Sequence, residues 1–182
     1  NFVPEEYSSL VFADIEIPLV DGAKMFSPKI EGRILDSLDI QGHETILEIG
    51  TGSGYFTSVL AKLSQSVTTI EFNKQLSESA QNKAKELNLD NINFVNDDAL
   101  IYNFKSKQYD TIVIGCALPN QNENFFRLLK PGGKLFMVVG AVNQMRAIIV
   151  IRTSEKEWQS KSLFETHLDY MIGTEPSVKF AF

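Results

Sequence analysis

The stretch Glu48-Ile49-Gly50-Thr51-Gly52-Ser53-Gly54 decides the fold class of this sequence. It joins a short apolar run, Thr45 to Ile49, to a segment with helical spacing of apolar residues, Tyr55 to Leu63. Glycines between a strand and a helix permit positive φ angles and let a ligand approach the backbone, and the start of the helix offers free N–H groups. The stretch therefore predicts a strand, a binding loop and a helix, in that order.

Short apolar runs continue to alternate with helical segments after this loop. Such alternation predicts a Rossmann-like α/β fold with a mostly parallel, doubly wound sheet. The predicted parallel strands are Thr45 to Ile49, Val67 to Glu71, Ile92 to Val95, Tyr109 to Gly115 and Leu135 to Val139. Two further runs, Arg146 to Thr153 and Trp158 to Leu163, predict a C-terminal antiparallel hairpin.

Helices are predicted where apolar residues recur at helical spacing and a start or stop signal is present. The predicted helices are Ser27 to Leu38 with Pro28 at its first position, Tyr55 to Leu63, a helix that Asn73 caps and that runs to Leu87, and Asn124 to Leu129. Proline at the first helical position and asparagine at the N-cap are both favourable. We expect Pro131-Gly132-Gly133 to stop the last of these helices.

Length and composition indicate one globular domain. The chain has 182 residues, 43% of them hydrophobic and 22% charged, values typical of a globular protein and not of a disordered or fibrous one. A net charge of −6 disfavours nucleic acid and anionic lipid as partners, and no apolar run is long enough to cross a membrane. We expect a cytoplasmic protein, with a monomer favoured. Because the sequence starts at Asn1 rather than Met, we also expect some upstream sequence to be missing.

Two acidic positions after the second and third strands suit a cofactor that contains ribose and adenine. Glu71 closes the second strand, where a carboxylate can accept hydrogen bonds from both ribose hydroxyls. Asp97-Asp98-Ala99 follows the third strand, where a carboxylate and a backbone N–H can bind an adenine edge. In the glycine loop, Tyr55 stands where a dinucleotide fingerprint has its third glycine, and the Lys-Ser or Lys-Thr ending of a triphosphate loop is missing. NAD and nucleoside triphosphates are therefore disfavoured.

These motifs together resemble the class I S-adenosylmethionine-dependent methyltransferases. The resemblance is carried by the Glu-x-Gly-x-Gly-x-Gly loop, the acid at Glu71, Asp98-Ala99 and the run Leu-Lys-Pro-Gly-Gly-Lys-Leu at residues 129–135. Phe2-Val3-Pro4, the stretch from Tyr7 to Pro18, Ser27-Pro28, Leu47 to Tyr55 and Val138-Val139-Gly140 make it closest to the protein-L-isoaspartate O-methyltransferase family. It spans nearly the whole chain. That family normally has a further N-terminal helical segment.

The resemblance implies S-adenosylmethionine as cofactor and S-adenosylhomocysteine as product. No metal site is expected, because no cluster of residues in the sequence has metal-ligand spacing. The implied cofactor-binding residues are Glu48, Gly50, Thr51, Gly52, Ser53, Gly54, Glu71, Asp98 and Ala99. In this scheme the loop faces the methionine part, Glu71 holds the ribose, and Asp98 with Ala99 holds the adenine. It also implies a single domain over residues 1–182, with an acceptor-side segment at 1–44 and a cofactor-binding core at 45–182.

The acceptor side departs from the family pattern. The family resembles Thr-Ile-Ser-x-Pro before the first core helix, with the serine hydroxyl beside the carboxylate to be methylated, whereas this chain has Lys24-Met25-Phe26-Ser27-Pro28. Phe26 replaces that serine, Lys24 replaces the threonine and Ser27 is one residue off. The catalytic residue is therefore unknown, with these three as acceptor-side candidates. Lys24 can meet an anionic acceptor, although a solvated lysine is the simpler interpretation, and Phe26 is interpreted as a pocket wall or core residue.

Two other side chains near the predicted site have both a functional and a structural interpretation. Tyr55, directly after the glycine loop, can lie against a sulfonium by a cation–π contact, and packing explains it equally well. Cys116, expected at the end of the fourth strand near the acceptor, is most simply a small buried thiol.

The leading functional interpretation is an S-adenosylmethionine-dependent methyltransferase of the protein-L-isoaspartate O-methyltransferase type. Its expected reaction is carboxyl O-methylation of an unassigned acceptor, either a protein or peptide or a small carboxylate. One alternative is the protein-repair enzyme proper, a protein-L-isoaspartate(D-aspartate) O-methyltransferase. A second is a binding protein that holds S-adenosylmethionine or S-adenosylhomocysteine without catalysis, and an NAD-dependent oxidoreductase is a remote third.

Overall fold

The secondary structure comes from a computed structural model that describes residues 1–176. Its strands are β1 (Thr45–Ile49), β2 (Ser66–Glu71), β3 (Ile92–Asn96), β4 (Tyr109–Leu118), β5 (Leu129–Val139), β6 (Arg146–Arg152) and β7 (Trp158–Glu165). Its helices are α1 (Pro28–Leu38), α2 (Tyr55–Leu63), α3 (Lys74–Glu86) and α4 (Glu123–Phe126), preceded by short 3₁₀ helices at Glu5–Leu10 and Val20–Gly22. The last six residues of the predicted single domain lie outside the described residues.

The strands form one sheet in the order β3-β2-β1-β4-β5-β6-β7. Every pair from β3 to β5 is parallel, and the β5–β6 and β6–β7 pairs are antiparallel. The prediction of a mostly parallel sheet with a C-terminal antiparallel hairpin is therefore confirmed. The chain leaves β1 toward β2 on one side and later enters β4 on the other side. In open α/β sheets a ligand binds at the carboxyl ends of the strands at this kind of switch point.

Both faces of the sheet are covered by buried apolar side chains. Along β4, Ile112 and Ile114 belong to one core cluster and Val113 belongs to the other. Because successive side chains of a strand point to opposite faces, the two clusters lie on opposite faces of the sheet. Ile34 of α1 and Leu60 of α2 pack into the second cluster. A sheet buried on both faces requires the continuous apolar runs seen in the sequence.

The prediction for the segment before β5 was wrong in its details. The helix expected from Asn124 to Leu129 is a single turn, Glu123–Phe126, and β5 starts at Leu129, ahead of the Pro-Gly-Gly sequence. Leu129 pairs with Tyr109 of β4, and the register of this pair shifts before it resumes at Lys134. The sequence Pro131-Gly132-Gly133 therefore forms an irregularity within a strand, because pairing with β4 outweighs the local tendency of these residues to form a turn.

Two segments outside the sheet cover its carboxyl edge. The first is a tight hairpin in which the Met25 N–H donates to the Ile17 carbonyl at 2.8 Å. The second follows β7, where the Ala117 N–H donates to the Asp169 carbonyl at 2.9 Å and ties this segment to the end of β4. Both segments therefore lie over the switch point. Among the described residues, no helix has the length and apolar character needed to cross a membrane.

Candidate functional site

A cavity of about 350 Å³ opens at the carboxyl end of the sheet, at the switch point between β1 and β4. Its floor is formed by Gly50 after β1 and Gly115 in β4, and Glu71 and Phe72 form one wall. The two covering segments, residues 21–26 and 168–172, complete it. The volume lies at the lower end of the roughly 300 to 1,000 Å³ that small-molecule sites occupy.

The glycine loop has the backbone conformation that its sequence predicts. Gly50, Gly52 and Gly54 all have positive φ, at 93°, 54° and 82°, and only the first two line the cavity. Gly54 is the N-cap of α2, and a Cβ atom on it would lie 2.7 Å from the Cβ of Ala80 in α3. The third glycine therefore allows α2 and α3 to pack closely, and the first two open the backbone to a ligand.

Glu48 lies beneath the loop and does not line the cavity. The residue is 2% exposed, and its carboxyl group accepts hydrogen bonds from the hydroxyls of Thr57 at 2.5 Å and Thr69 at 2.7 Å. The Thr69 hydroxyl also lies 2.6 Å from the Thr51 hydroxyl, and either of the two can be the donor in that contact. Glu48 and Thr51 thus support the loop from below, which differs from the direct cofactor contact implied by the family resemblance.

Ser53 and Gly54 also lie outside the cavity lining. The Ser53 hydroxyl accepts from the Tyr55 N–H at 3.2 Å, and its carbonyl accepts from the Lys83 ammonium at 3.3 Å. The end of the loop is therefore fixed to α2 and α3. Of the nine residues predicted to bind cofactor, the structure brings Gly50, Gly52, Glu71, Asp98 and Ala99 together around one cavity.

Burial raises the pKa of Glu48 to about 8, and the neighbouring carboxylates Glu71 and Glu31 act in the same direction. A carboxyl whose pKa is higher in the folded than in the unfolded state stabilises the fold at low pH, and this contribution is lost as the pH rises through the folded-state value. We therefore expect the free energy of unfolding to fall between pH 5 and pH 8, and Glu48→Gln to make that decline less steep. Urea denaturation at several pH values measures the slope.

The control for this titration is Glu78→Gln, because the Glu78 side chain is 64% exposed. It should leave the slope unchanged. Glu31, whose pKa burial raises to about 7, keeps part of the decline in the Glu48 variant. A slope identical in wild type and Glu48→Gln would contradict the assignment of the decline to Glu48.

Glu71 connects the end of β2 to the glycine loop. One carboxylate oxygen accepts from the Gly52 N–H and the other from the Asn73 N–H, both at 2.9 Å. The side chain is 8% exposed and lines the cavity. A carboxylate has about four lone-pair directions, so two remain for a ligand's hydroxyl groups.

Asp98 and Ala99 line the same cavity beyond the end of β3. One Asp98 oxygen accepts from the Leu100 N–H at 2.8 Å. Within residues 1–176, the Ala99 N–H donates no hydrogen bond and the second Asp98 oxygen accepts none. Asp97 uses its carboxylate on the Asp98 N–H at 2.8 Å. Asp97 also lines the cavity and, within the described residues, keeps one oxygen without a partner, so the choice of Asp98 over Asp97 stays a prediction.

Phe72 is a cavity residue that the sequence analysis did not identify. It directly follows Glu71, lines the cavity and is 56% exposed. An exposed aromatic ring beside a ligand cavity offers a flat apolar face. Its position after the acid that ends the second strand was the only signal in the sequence.

The three acceptor-side candidates occupy different places. The Phe26 ring packs edge-to-face on Phe56, with 5.7 Å between ring centroids, and forms part of the cavity wall as predicted. Ser27 is the N-cap of α1 with no hydrogen bond from its side chain to the helix, and it does not line the cavity. The Lys24 ammonium lines the cavity and lies 2.7 Å from the Asp169 carboxylate.

Cys116 lies beside the cavity, as expected, whereas Tyr55 does not. Cys116 sits within β4, which continues to Leu118 rather than ending near residue 115, and burial raises the pKa of its thiol to about 12. It therefore lines the cavity as a neutral thiol. Tyr55 does not face this cavity. Its ring packs edge-to-face on Phe2 at 5.5 Å between centroids and lines a second, mainly apolar cavity of about 400 Å³ next to α1.

The chain is similar in sequence to one family of known proteins. The model of the family described as Protein-L-isoaspartate(D-aspartate) O-methyltransferase (PCMT) matches residues 1–170. A Geotalea uraniireducens relative named Protein-L-isoaspartate O-methyltransferase 1 is 31% identical over 173 residues, which cover 94% of this chain and 79% of that protein. A Petrotoga mobilis Protein-L-isoaspartate O-methyltransferase is 35% identical over 141 residues, 77% of this chain and 66% of that protein.

Solved structures show the same fold. A Plasmodium falciparum protein described as a protein-L-isoaspartate O-methyltransferase, in complex with S-adenosyl-L-homocysteine, superposes with a TM-score of 0.75 at 20% identity, covering 87% of this chain and 80% of that chain. Another structure described as a protein-L-isoaspartate O-methyltransferase gives a TM-score of 0.84 at 20% identity, covering 95% of this chain and 57% of that chain. At this identity the likeness concerns the fold.

Proposed function

Because this chain belongs to the protein-L-isoaspartate O-methyltransferase family, we propose that it transfers a methyl group from S-adenosylmethionine to a carboxylate. The observation that carries the proposal is the cavity at the switch point, where Glu71, Asp98 and Ala99 all present unused hydrogen-bonding capacity. The expected product is S-adenosylhomocysteine. The relatives' names make the L-isoaspartyl carboxylate the first acceptor to test.

The residues present suit this cofactor. The two remaining lone-pair directions of Glu71 suit the hydroxyls of a ribose. The Ala99 N–H and the second Asp98 oxygen, which have no partner within residues 1–176, offer a donor and an acceptor, the combination that the edge of an adenine requires. Phe72 offers a face on which the base can pack. Gly50 and Gly52 leave the loop backbone open for the methionine part.

The protein has little covalent chemistry to perform. When bound, S-adenosylmethionine supplies a methyl group on a positively charged sulfur, and its transfer to a carboxylate oxygen breaks the carbon–sulfur bond and leaves an ester and a neutral thioether. An acceptor carboxylate with a pKa of about 4 is ionised at neutral pH and needs no general base. The residues around the cavity therefore bind, align and exclude water.

The proposal assigns different roles to the N-terminal segment and to the rest of the chain. Residues 45–182 bind the cofactor and residues 1–44 shape the acceptor side, which is supported by the contribution of residues 21–26 to the cavity. In this proposal the protein is a cytoplasmic monomer without nucleic-acid or membrane partners. Its acceptor is a protein or peptide, or a small carboxylate.

Calorimetry and a methyl-transfer assay test the proposal together. We expect S-adenosylmethionine and S-adenosylhomocysteine to bind with 1:1 stoichiometry and NAD to give no heat above buffer. With labelled cofactor, we expect methylation of an isoaspartyl peptide and none of the matched aspartyl peptide. Cofactor binding without transfer to any protein, peptide or small-carboxylate acceptor would support the non-catalytic alternative, and absence of binding would refute the cofactor assignment.

A further inference from the structure

Charges around the cavity are strongly unbalanced. Among the described residues that line it, one cationic side chain, Lys24, faces a larger group of acids. The acidic residues of the lining are Glu16, Asp21, Glu71, Asp97, Asp98 and Asp169. This surplus of carboxylates suits a cofactor with a positive sulfur. It also repels a negatively charged acceptor, unless that acceptor reaches a counter-charge.

Lys24 is held at the cavity by its backbone. Pro18 and Lys24 form a β-bridge within the covering hairpin, and Phe26, two residues later, lies near Gly115 at the cavity floor. The Lys24 ammonium lies 2.7 Å from the Asp169 carboxylate and 4.0 Å from that of Glu16. The hydrogen bond with Asp169 raises the pKa of Lys24. The Lys24 backbone is therefore held beside the cavity, and its side chain is positively charged there.

Its partner Asp169 is positioned independently. The Asp169 carbonyl accepts from the Ala117 N–H at 2.9 Å, and the Met171 N–H donates to the Ala117 carbonyl at 2.8 Å. The backbone around Asp169 is thus held by β4 and does not depend on the ion pair. The two side chains are 40% and 56% exposed, and exposed ion pairs contribute only about 0 to 1 kcal/mol. Replacement of the Asp169 carboxylate by a ligand's carboxylate as the partner of Lys24 therefore costs little free energy.

We infer that Lys24 binds the carboxylate of the methyl acceptor and that Asp169 is its internal counter-ion, displaced when the acceptor enters. The inference rests on the proposed function, because it requires an acceptor that is a carboxylate. It gives Lys24 the role of a specificity-determining residue for anionic acceptors. Lys24 and Asp169 then have opposite effects on the affinity for the acceptor, since Lys24 binds the acceptor and Asp169 competes with it.

The test measures binding of an isoaspartyl peptide to the protein saturated with S-adenosylhomocysteine. Lys24→Met should weaken peptide binding by about tenfold, because the acceptor loses the one cationic side chain among the described residues that line the cavity. Asp169→Asn should strengthen it by about two- to threefold, because the competing anion becomes neutral while the residue keeps its shape. In the Lys24→Met background, the Asp169→Asn change should have a smaller effect. Because both residues line the cavity proposed for the cofactor, affinity for S-adenosylhomocysteine is measured in each variant, and a loss there that equals the loss of peptide binding would overturn the inference.

A purely structural ion pair predicts a different result. In that case Lys24→Met and Asp169→Asn would weaken peptide binding alike and lower the thermal midpoint together. Parallel losses of this kind would overturn the inference. So would unchanged peptide binding in Lys24→Met, or a wild-type protein that binds no carboxylate peptide at all. The proposed function is judged separately, by whether the wild type transfers a labelled methyl group to any carboxylate acceptor.

Discussion

Gly54→Ala should lower the free energy of unfolding by about 2 to 5 kcal/mol. Gly54 has φ at 82°, and this left-handed conformation costs an L-residue roughly 1 to 2 kcal/mol. The new Cβ would also lie 2.7 Å from the Cβ and 3.1 Å from the Cα of Ala80, and overpacking of this kind costs about 1 to 3 kcal/mol. Because Ala80 is buried in α3, neither atom can rotate away. Denaturation in guanidinium, followed by circular dichroism, measures the loss.

The control for this substitution is Gly32→Ala, in the middle of α1. A Cβ there meets nothing within 4 Å, so the change should stabilise the protein by about 0.5 to 1 kcal/mol through helix propensity. The double variant Gly54→Ala with Ala80→Gly removes the contact between the two Cβ atoms and should recover part of the loss. A Gly54→Ala protein within 1 kcal/mol of wild type would contradict this account of the loop.

Part of the cavity lining could be predicted because its signals are local in the sequence. The glycine loop, the acid at the end of β2 and the N-cap of α3 each depend on residues within one turn or strand end. Asn73, for example, accepts from the Leu76 N–H at 3.1 Å as an N-cap does. In a parallel sheet the carboxyl ends of neighbouring strands meet at one edge, so the sequence order of these motifs already places them together.

What could not be predicted depends on contacts between distant segments. Asp169 reaches the cavity only because residues after β7 return to β4, and no sequence pattern marks that return. Glu48 has the residue type and position of a cofactor ligand, yet its carboxylate turns toward Thr57 and Thr69. The direction of one side chain at a strand end is determined by tertiary packing and not by its neighbours in sequence.

Local rules also failed where pairing between strands was stronger. Pro131-Gly132-Gly133 has the composition of a turn, but Leu129 before it and Lys134 after it both pair with β4. Tyr55 follows the glycine loop and was a candidate for contact with the sulfonium. The first turn of α2 instead directs its ring toward Phe2, away from the cavity. In both cases the residue type suggested a local structure or contact, and the packing of neighbouring elements determined the conformation that was adopted.

Glu71→Ala should weaken S-adenosylhomocysteine binding by about 3 kcal/mol, roughly a hundredfold in dissociation constant. The proposed ribose hydroxyls lose a charged acceptor. The Gly52 N–H, which donates to Glu71 at 2.9 Å, loses its partner as well, so the loop backbone is no longer held in its binding conformation. Calorimetry at constant pH and salt measures the change.

The matched variant Glu71→Gln separates charge from shape in this assay. Its amide oxygen can still accept from one backbone N–H, so the loop should remain closer to its native conformation while the charge is lost. We therefore expect an intermediate affinity. Circular dichroism and urea denaturation must accompany both titrations, because the removal of the hydrogen bonds to Gly52 and Asn73 also lowers stability. A folded Glu71→Ala protein with an unchanged dissociation constant would refute the ribose assignment, and Glu71 would then serve only to join β2 to the glycine loop.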